Sequence, residues 1–269
     1  MHLLDEATAL AGAPTDPVRR GRTHDAYWTF IGPFGGVSAA TALRAVLEHP
    51  QREGDPIAAT VNFCAPIERG EFAVHVRRAR ANRSSQHWQV EFRQGDEAVL
   101  TASIVTAARR ESWHHQAARQ PTLPPPEAIA RFAHRNALSW IAQYGFRFAE
   151  GVFEPSEQMF DPPRSPRSVL WLQDDPPRAL DFVSLLAMSD AFFGRPFQMI
   201  GRVPPFGTVS MTTYFHATAA ELAAQGSAPL AAVADARVFH RSFGDQTAEL
   251  YATNGQLLAT SVQIAYFRV

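Results

Sequence analysis

Apolar side chains recur at helical spacing in three stretches of the chain and at alternate positions in eight. Over residues 36–48, Val37, Ala40, Leu43 and Leu47 share one face, and over 181–193 so do Phe182, Leu185, Leu186 and Ser189; both spacings predict helices. Strand-like runs at 57–65, 71–80, 87–93 and 98–107 follow the first helix, and runs at 207–216, 230–238, 247–253 and 257–268 follow the second. In each set the last two runs are separated by turn chemistry, Gln94-Gly95-Asp96 and Asn254-Gly255-Gln256. Between the sets, Gln120-Pro121-Thr122-Leu123-Pro124-Pro125-Pro126 reads as an exposed connector. Beyond it Ile129, Phe132, Leu138 and Ile141 predict a further helix over 127–143.

The two halves resemble each other. A shift of 158 lays residues 83–105 on 241–263, with Arg83-Ser84 on Arg241-Ser242, Glu91 on Glu249, Leu100 on Leu258 and Ser103 on Ser261, five identities in 23 positions. An internal repeat takes precedence over single motifs in reading a fold. Each half offers one helix that is apolar nearly all round, which a sheet must wrap. Two such units can join edge to edge, removing two exposed strand edges. The expectation is an α+β chain with an N-terminal repeat at 1–109, a linker with a helix at 110–145 and a C-terminal repeat at 146–269. Its antiparallel sheet would run continuously around two long helices.

Composition narrows the function. The 269 residues are 46 % hydrophobic, enough for one large or two ordinary cores. A net charge of -1, from 25 basic and 26 acidic residues, argues against a nucleic-acid partner. Every basic residue is arginine, which excludes Schiff-base, pyridoxal-phosphate and phosphate-loop lysines. With Cys64 alone there is no intrachain disulfide or multi-cysteine metal site, and its place between Phe63 and Ala65 reads as inert core. The histidines form no metal pattern, so no metal is expected. No apolar run reaches 18 residues and the first 25 residues show no signal peptide, so no membrane span and a cytoplasmic location are expected. A Gly-x-Ser-x-Gly elbow is absent.

Asp190 stands out as the one charged side chain between Phe182 and Phe193. Its helical neighbours Val183, Leu186, Ala187 and Phe193 are apolar, so an ionised carboxylate there needs a partner if buried. The alternative is an acid at the helix end pointing to water before the stop signal Gly194-Arg195-Pro196. Gln263 shares a strand face with Ala259, Ser261 and Ala265, small residues that leave room for a substrate or a closely packed helix. Its counterpart in the first half is Val105. Gly35-Gly36 before the first helix suits close backbone approach, or simply a tight turn. Arg77, Arg78, Arg80 and Arg83 suit phosphate binding or a solvated face.

The ordered series Phe34-Gly35-Gly36, Arg83-Ser84-Ser85, Met188-Ser189-Asp190, the strand 207–216, Arg241-Ser242-Phe243 and Thr260-Ser261-Val262-Gln263 resembles the double hot-dog acyl-CoA thioesterases of type II. The resemblance covers about 20–110 and 165–269. It implies a site of Asp190, Thr208 and Gln263, where the acid activates a water held by hydroxyl and amide. On its own residues Thr208 is an ordinary β-branched strand residue, sharing parity with Ser210, Thr212 and Tyr214. A backbone N–H near Gly35 or Gly36, or at the start of the second helix, would polarise the thioester carbonyl. No cofactor is implied beyond the coenzyme A of the substrate, and the protein is expected to form a homo-oligomer. The acyl chain is expected to lie among Phe182, Met188, Phe192, Phe193 and Met211. Two rivals stand beside this reading. A hot-dog dehydratase would require a histidine paired with an acid, and neither helix segment carries a histidine. A non-catalytic acyl-thioester or lipid-binding protein would show no turnover.

Overall fold

The computed structural model describes residues 1–133 and 138–269. Helix α1 (Leu3–Ala7) and strand β1 (Val18–Arg22) precede helix α2 (Gly35–Leu47). Four strands follow: β2 (Asp55–Phe63), β3 (Glu71–Ala81), β4 (Ser85–Gln94) and β5 (Glu97–Ala107). After an irregular crossing come β6 (Tyr144–Glu150), β7 (Ser168–Asp174), α3 (Phe182–Met188), α4 (Arg195–Ile200) and β8 (Phe206–Phe215). The chain ends with α5 (Ala219–Gln225), β9 (Leu230–Asp235), β10 (Phe239–His240), β11 (Phe243–Tyr251) and β12 (Leu257–Phe267).

All twelve strands belong to one sheet, in the order β1-β3-β4-β5-β2-β8-β12-β11-β9-β7-β6, with β10 on β11. The two sets of strands meet at β2 and β8, antiparallel from Ala58↔Tyr214 to Asn62↔Ser210. Outward from this seam the order is the same in both directions once the two-residue β10 is set aside: first strand after the helix, then fourth, third and second. Helix α2 packs on β2 to β5 and on α3. It is buried from Gly36 to Leu43 and again at Ala45 and Val46. Small side chains at Ala39, Ala40, Ala42 and Ala45 let it lie close to the strands.

Three expectations need correction. The helix over 181–193 stops early, so the sheet does not wrap two long helices: α2 has 13 residues and α3 only 7. The Asp181 side chain caps α3 by accepting from Ser184 N at 2.8 Å. Beyond Met188 the backbone bonds tighten to three-residue spacing, Asp190 N to Ala187 O at 3.2 Å and Ala191 N to Met188 O at 3.0 Å. The Ser189 hydroxyl also bonds back to the Leu185 carbonyl at 2.8 Å. Ala191, Phe192 and Phe193 are buried all the same, so the periodicity read as helix there belongs to a turn.

The helix expected over 127–143 is replaced by two 3-10 turns, Pro126–Ala128 and Ser139–Gln143; its residues 134–137 lie outside the described residues. Phe132 N donates to Phe146 O at 2.8 Å, and Trp171 Nε1 donates to Pro124 O at 2.8 Å. The segment is therefore tied to strands β6 and β7 rather than to itself. Finally, Cys64 is not core but exposed, one residue past the end of β2.

Candidate active site

Asp190 occupies the turn that leaves α3, and it is buried, 7 % exposed. Its Oδ1 accepts a hydrogen bond from Gln263 Nε2 at 3.2 Å. The start of α2 presses against it. A Cβ on Gly35 would lie 2.7 Å from Asp190 Oδ2, and one on Gly36 would lie 2.5 Å from the Ala187 carbonyl oxygen. Only glycine lets the two helix ends approach this closely. Burial pushes the Asp190 carboxyl up to about 7, while the Gln263 amide and the Gly36 backbone N–H favour the ionised form. The carboxylate thus stands at the positive end of α2, where Phe34 offers no side-chain cap.

Thr208 reaches the same spot through an irregularity in β8. Along β12 the inward positions are Ala259, Ser261, Gln263 and Ala265, all buried, as the alternation of the sequence predicts. Opposite them, β8 pairs Ser210 with Ile264 but Thr208 with Ala265, so Val209 is an extra residue. This bulge reverses the parity of the strand. Met211 and Thr208 consequently face the same side as Gln263, whereas Ser210, Thr212 and Tyr214 face the other. The Thr208 hydroxyl donates to Gln263 Oε1 at 2.8 Å. Thr208, Gln263 and Asp190 form one hydrogen-bonded chain. The Ser261 hydroxyl ties the turn to the sheet, donating to the Ser189 carbonyl at 2.9 Å.

Two further polar residues of this region were not singled out in the sequence. Gln246 on β11 lines the cavity and is the direct cross-strand partner of Gln263. Its Oε1 accepts from Arg195 Nε at 3.1 Å. Arg195 is buried, 1 % exposed. Its guanidinium also donates to the carbonyls of Phe193 and Pro166, to Ser168 Oγ and to Gln198 Oε1. Burial lowers its pKa to about 10, which still leaves a cation at neutral pH. Gln246 was legible by counting the hairpin back from Asn254-Gly255; Arg195 carried no signal except as part of a helix stop.

The chain opens on a cavity of about 930 Å³ whose lining includes Asp190, Thr208, Gln263, Gly35 and Gln246. Its walls are largely aromatic, with Phe34, Phe63, Trp140, Phe193, Phe197 and Phe206. Phe34 and Trp140 stack with centroids 4.5 Å apart. At the mouth Phe30 and Ile31 are 61 % and 64 % exposed, at the tip of a turn closed by Thr29 N to Gly32 O at 2.7 Å. Of the expected acyl-lining residues, Phe192 and Phe193 line the cavity; Phe182, Met188 and Met211 do not. Those three are buried in the main core, and Phe182 packs edge-on against Phe215. Cys64 lies on the rim. The arginines at 77–83 are remote. Arg78 donates to Gln51 O and lies over Trp88, beyond the C-terminal end of α2, roughly 20 Å of helix from the cavity.

This architecture has known relatives. An acyl-CoA thioesterase N-terminal domain profile matches residues 24–107, and the C-terminal domain profile matches 115–267. A conserved protein of unknown function with a hot dog fold from Alicyclobacillus acidocaldarius is 38 % identical, with a TM-score of 0.93 over 100 % of this chain and 99 % of that one. A thioesterase II from Thermobifida fusca, described as putative, is 18 % identical, with a TM-score of 0.81 over 100 % and 98 %. An acyl-CoA thioesterase II from Mycobacterium marinum is 15 % identical, with a TM-score of 0.74 over 98 % of each chain. These last two likenesses speak to the hot-dog fold alone. No curated protein matches the chain.

Proposed function

The chain belongs to the acyl-CoA thioesterase family, and we propose that its aromatic-lined cavity hydrolyses an acyl-CoA thioester to a free acid and coenzyme A. In this reading the chain is two tandem hot-dog units, 1–109 and 146–269 joined by 110–145, with the acid, hydroxyl and amide all supplied by the second. The observation that carries the proposal is the chain Thr208–Gln263–Asp190 opening on a cavity with aromatic walls.

A water held by the Gln263 amide and the Thr208 hydroxyl gives a proton to the Asp190 carboxylate as its oxygen bonds to the thioester carbonyl carbon. The tetrahedral intermediate then expels the thiolate: the carbon–sulfur bond breaks and the proton on Asp190 passes to sulfur. The products are a carboxylic acid and a thiol, so no oxidant or separate cofactor enters the balance. A carboxyl near 7 is matched to this exchange, since it both accepts and returns a proton at neutral pH. Gly35 and Gly36 bring the α2 N-terminus against the reacting centre, where backbone N–H groups favour developing negative charge.

A thiol-release assay over acyl-CoA chain lengths from acetyl to palmitoyl, together with aryl-acyl thioesters, tests the proposal. Release by the wild-type protein and its collapse in Asp190→Asn is the expected result. Failure to release thiol from any member of the series would overturn it.

A further inference from the structure

Gln263 is engaged at both ends of its amide, and the second N–H of its Nε2 is the one that holds the water. Its Oε1 is taken by Thr208 and its Nε2 by Asp190. Directly across the β11–β12 hairpin stands Gln246, and facing pairs on one side of a sheet have Cβ atoms about 5 Å apart. An amide can normally turn end for end, but here one end is dictated. A guanidinium N–H only donates, so the atom of Gln246 that meets Arg195 Nε must be oxygen. The NH₂ end is then left over. Among the described residues it has no hydrogen-bond partner, and Gln246 lines the cavity beside Asp190 and Gln263.

Arg195 is itself held firmly enough to impose this choice. It is buried among acceptors from two segments, Pro166 and Ser168 on one and Phe193 and Gln198 on its own. It forms no salt bridge with any described carboxylate. A buried cation that hydrogen-bonds only to neutral acceptors, with Asp235 as a more distant carboxylate, is an expensive way to hold a glutamine. The arrangement is explained if the orientation of that glutamine matters.

We infer that Gln246 is a second substrate-contacting amide, donating from Nε2 to the carbonyl oxygen of the acyl group, with Arg195 as the residue that positions it. This rests on the hydrolase reading of the cavity. The amide accompanies the carbonyl as it gains negative charge, and the water-holding pair Gln263 and Thr208 stays free of that task.

The test compares two non-hydrolysable coenzyme A analogues with the same chain. One is a ketone in which CH₂ replaces the sulfur and the carbonyl remains; the other is an S-alkyl thioether without a carbonyl. Titration calorimetry on the full-length protein gives the ratio of their affinities. Gln246→Met removes both ends of the amide at similar volume. Gln246→Glu keeps an acceptor for Arg195 and puts a carboxylate oxygen, paired with that cation, where the amide donor was, so it preserves the fold if Met does not. In both variants the preference for the ketone is expected to fall about tenfold, the thioether affinity to stay within about threefold, and kcat to drop about a hundredfold. Arg195→Lys keeps a cation without the Nε–H and is expected to lower the same ratio. A purely structural arginine would lower both affinities together, which would overturn the positioning role. An unchanged ketone preference in Gln246→Glu would overturn the inference itself. Because the ratio is read without turnover, it stands apart from the thiol-release assay, in which a wild-type protein that releases no thiol would instead sink the hydrolase reading.

Discussion

Gln263 donates its side-chain amide to Asp190 at 3.2 Å, so among the described residues the one acid lining the cavity is fixed by a neutral group rather than by a cation. A cationic partner would hold the carboxyl ionised and weakly basic. An amide orients it and leaves burial to set its proton affinity. Replacing Asp190 by Asn keeps the shape and the acceptor for Gln263 but removes the base. Steady-state kinetics are expected to show kcat reduced about a thousandfold with KM little changed.

The pH dependence follows from the same carboxyl. The ionised form is the base, so kcat/KM should fall about tenfold per unit below pH 7 and level off above it. A rate profile that stays flat from pH 5 to 8 would contradict this assignment.

Stability runs in the opposite direction. A carboxyl raised from 3.8 to about 7 binds more protons in the folded than in the unfolded state across that window, so the protein loses stability as pH rises from about 4 to about 7. The amount is at most about 4 kcal/mol, by the pKa difference. Asp174, buried and raised to about 6, adds a contribution of the same sign. Thermal melts of Asp190→Asn should therefore exceed wild type most at pH 8 and converge with it near pH 4.

Thr208→Val removes the hydroxyl that holds Gln263 Oε1 and keeps the branched shape suited to a strand. A loss of about ten- to a hundredfold in kcat is expected with an unchanged melting temperature, and Thr208→Ser should restore most of the rate. Equal rates in Val and wild type would remove the hydroxyl from the site.

The two glycines should separate activity from stability. Gly35→Ala places a methyl 2.7 Å from Asp190 Oδ2, displacing the carboxylate, and should cost about a hundredfold in kcat with a modest change in melting temperature. Gly36→Ala meets backbone, the Ala187 carbonyl at 2.5 Å, which cannot turn aside. It should lower stability by about 1–3 kcal/mol in denaturant titration.

Much of this fold was legible because its sheet has one buried face, so alternation along β2 to β5 and β8 to β12 had to appear in the sequence. The matching strand order on either side of the β2–β8 seam was legible for the same reason. Local backbone choices were not. Arg83-Ser84 and Arg241-Ser242 occupy corresponding turns, yet only Arg241 and Ser242 take positive φ, 48° and 67°. The bulge at Val209 put Thr208 on the cavity face against the parity of its own strand. Phe34, Phe63, Trp140 and Phe206 came to the cavity from four separate segments, and no spacing in a single segment could announce that. Asp190 was conspicuous as an isolated charge, but its burial depended on α3 ending where it does.

The near-contact of Gly36 with the Ala187 carbonyl makes the interhelix gap a dial for acidity. The N–H that steadies Asp190 rides on α2 and the carboxyl on the turn that leaves α3, so any swelling at that joint would register in the acid limb of the rate curve as well as in stability.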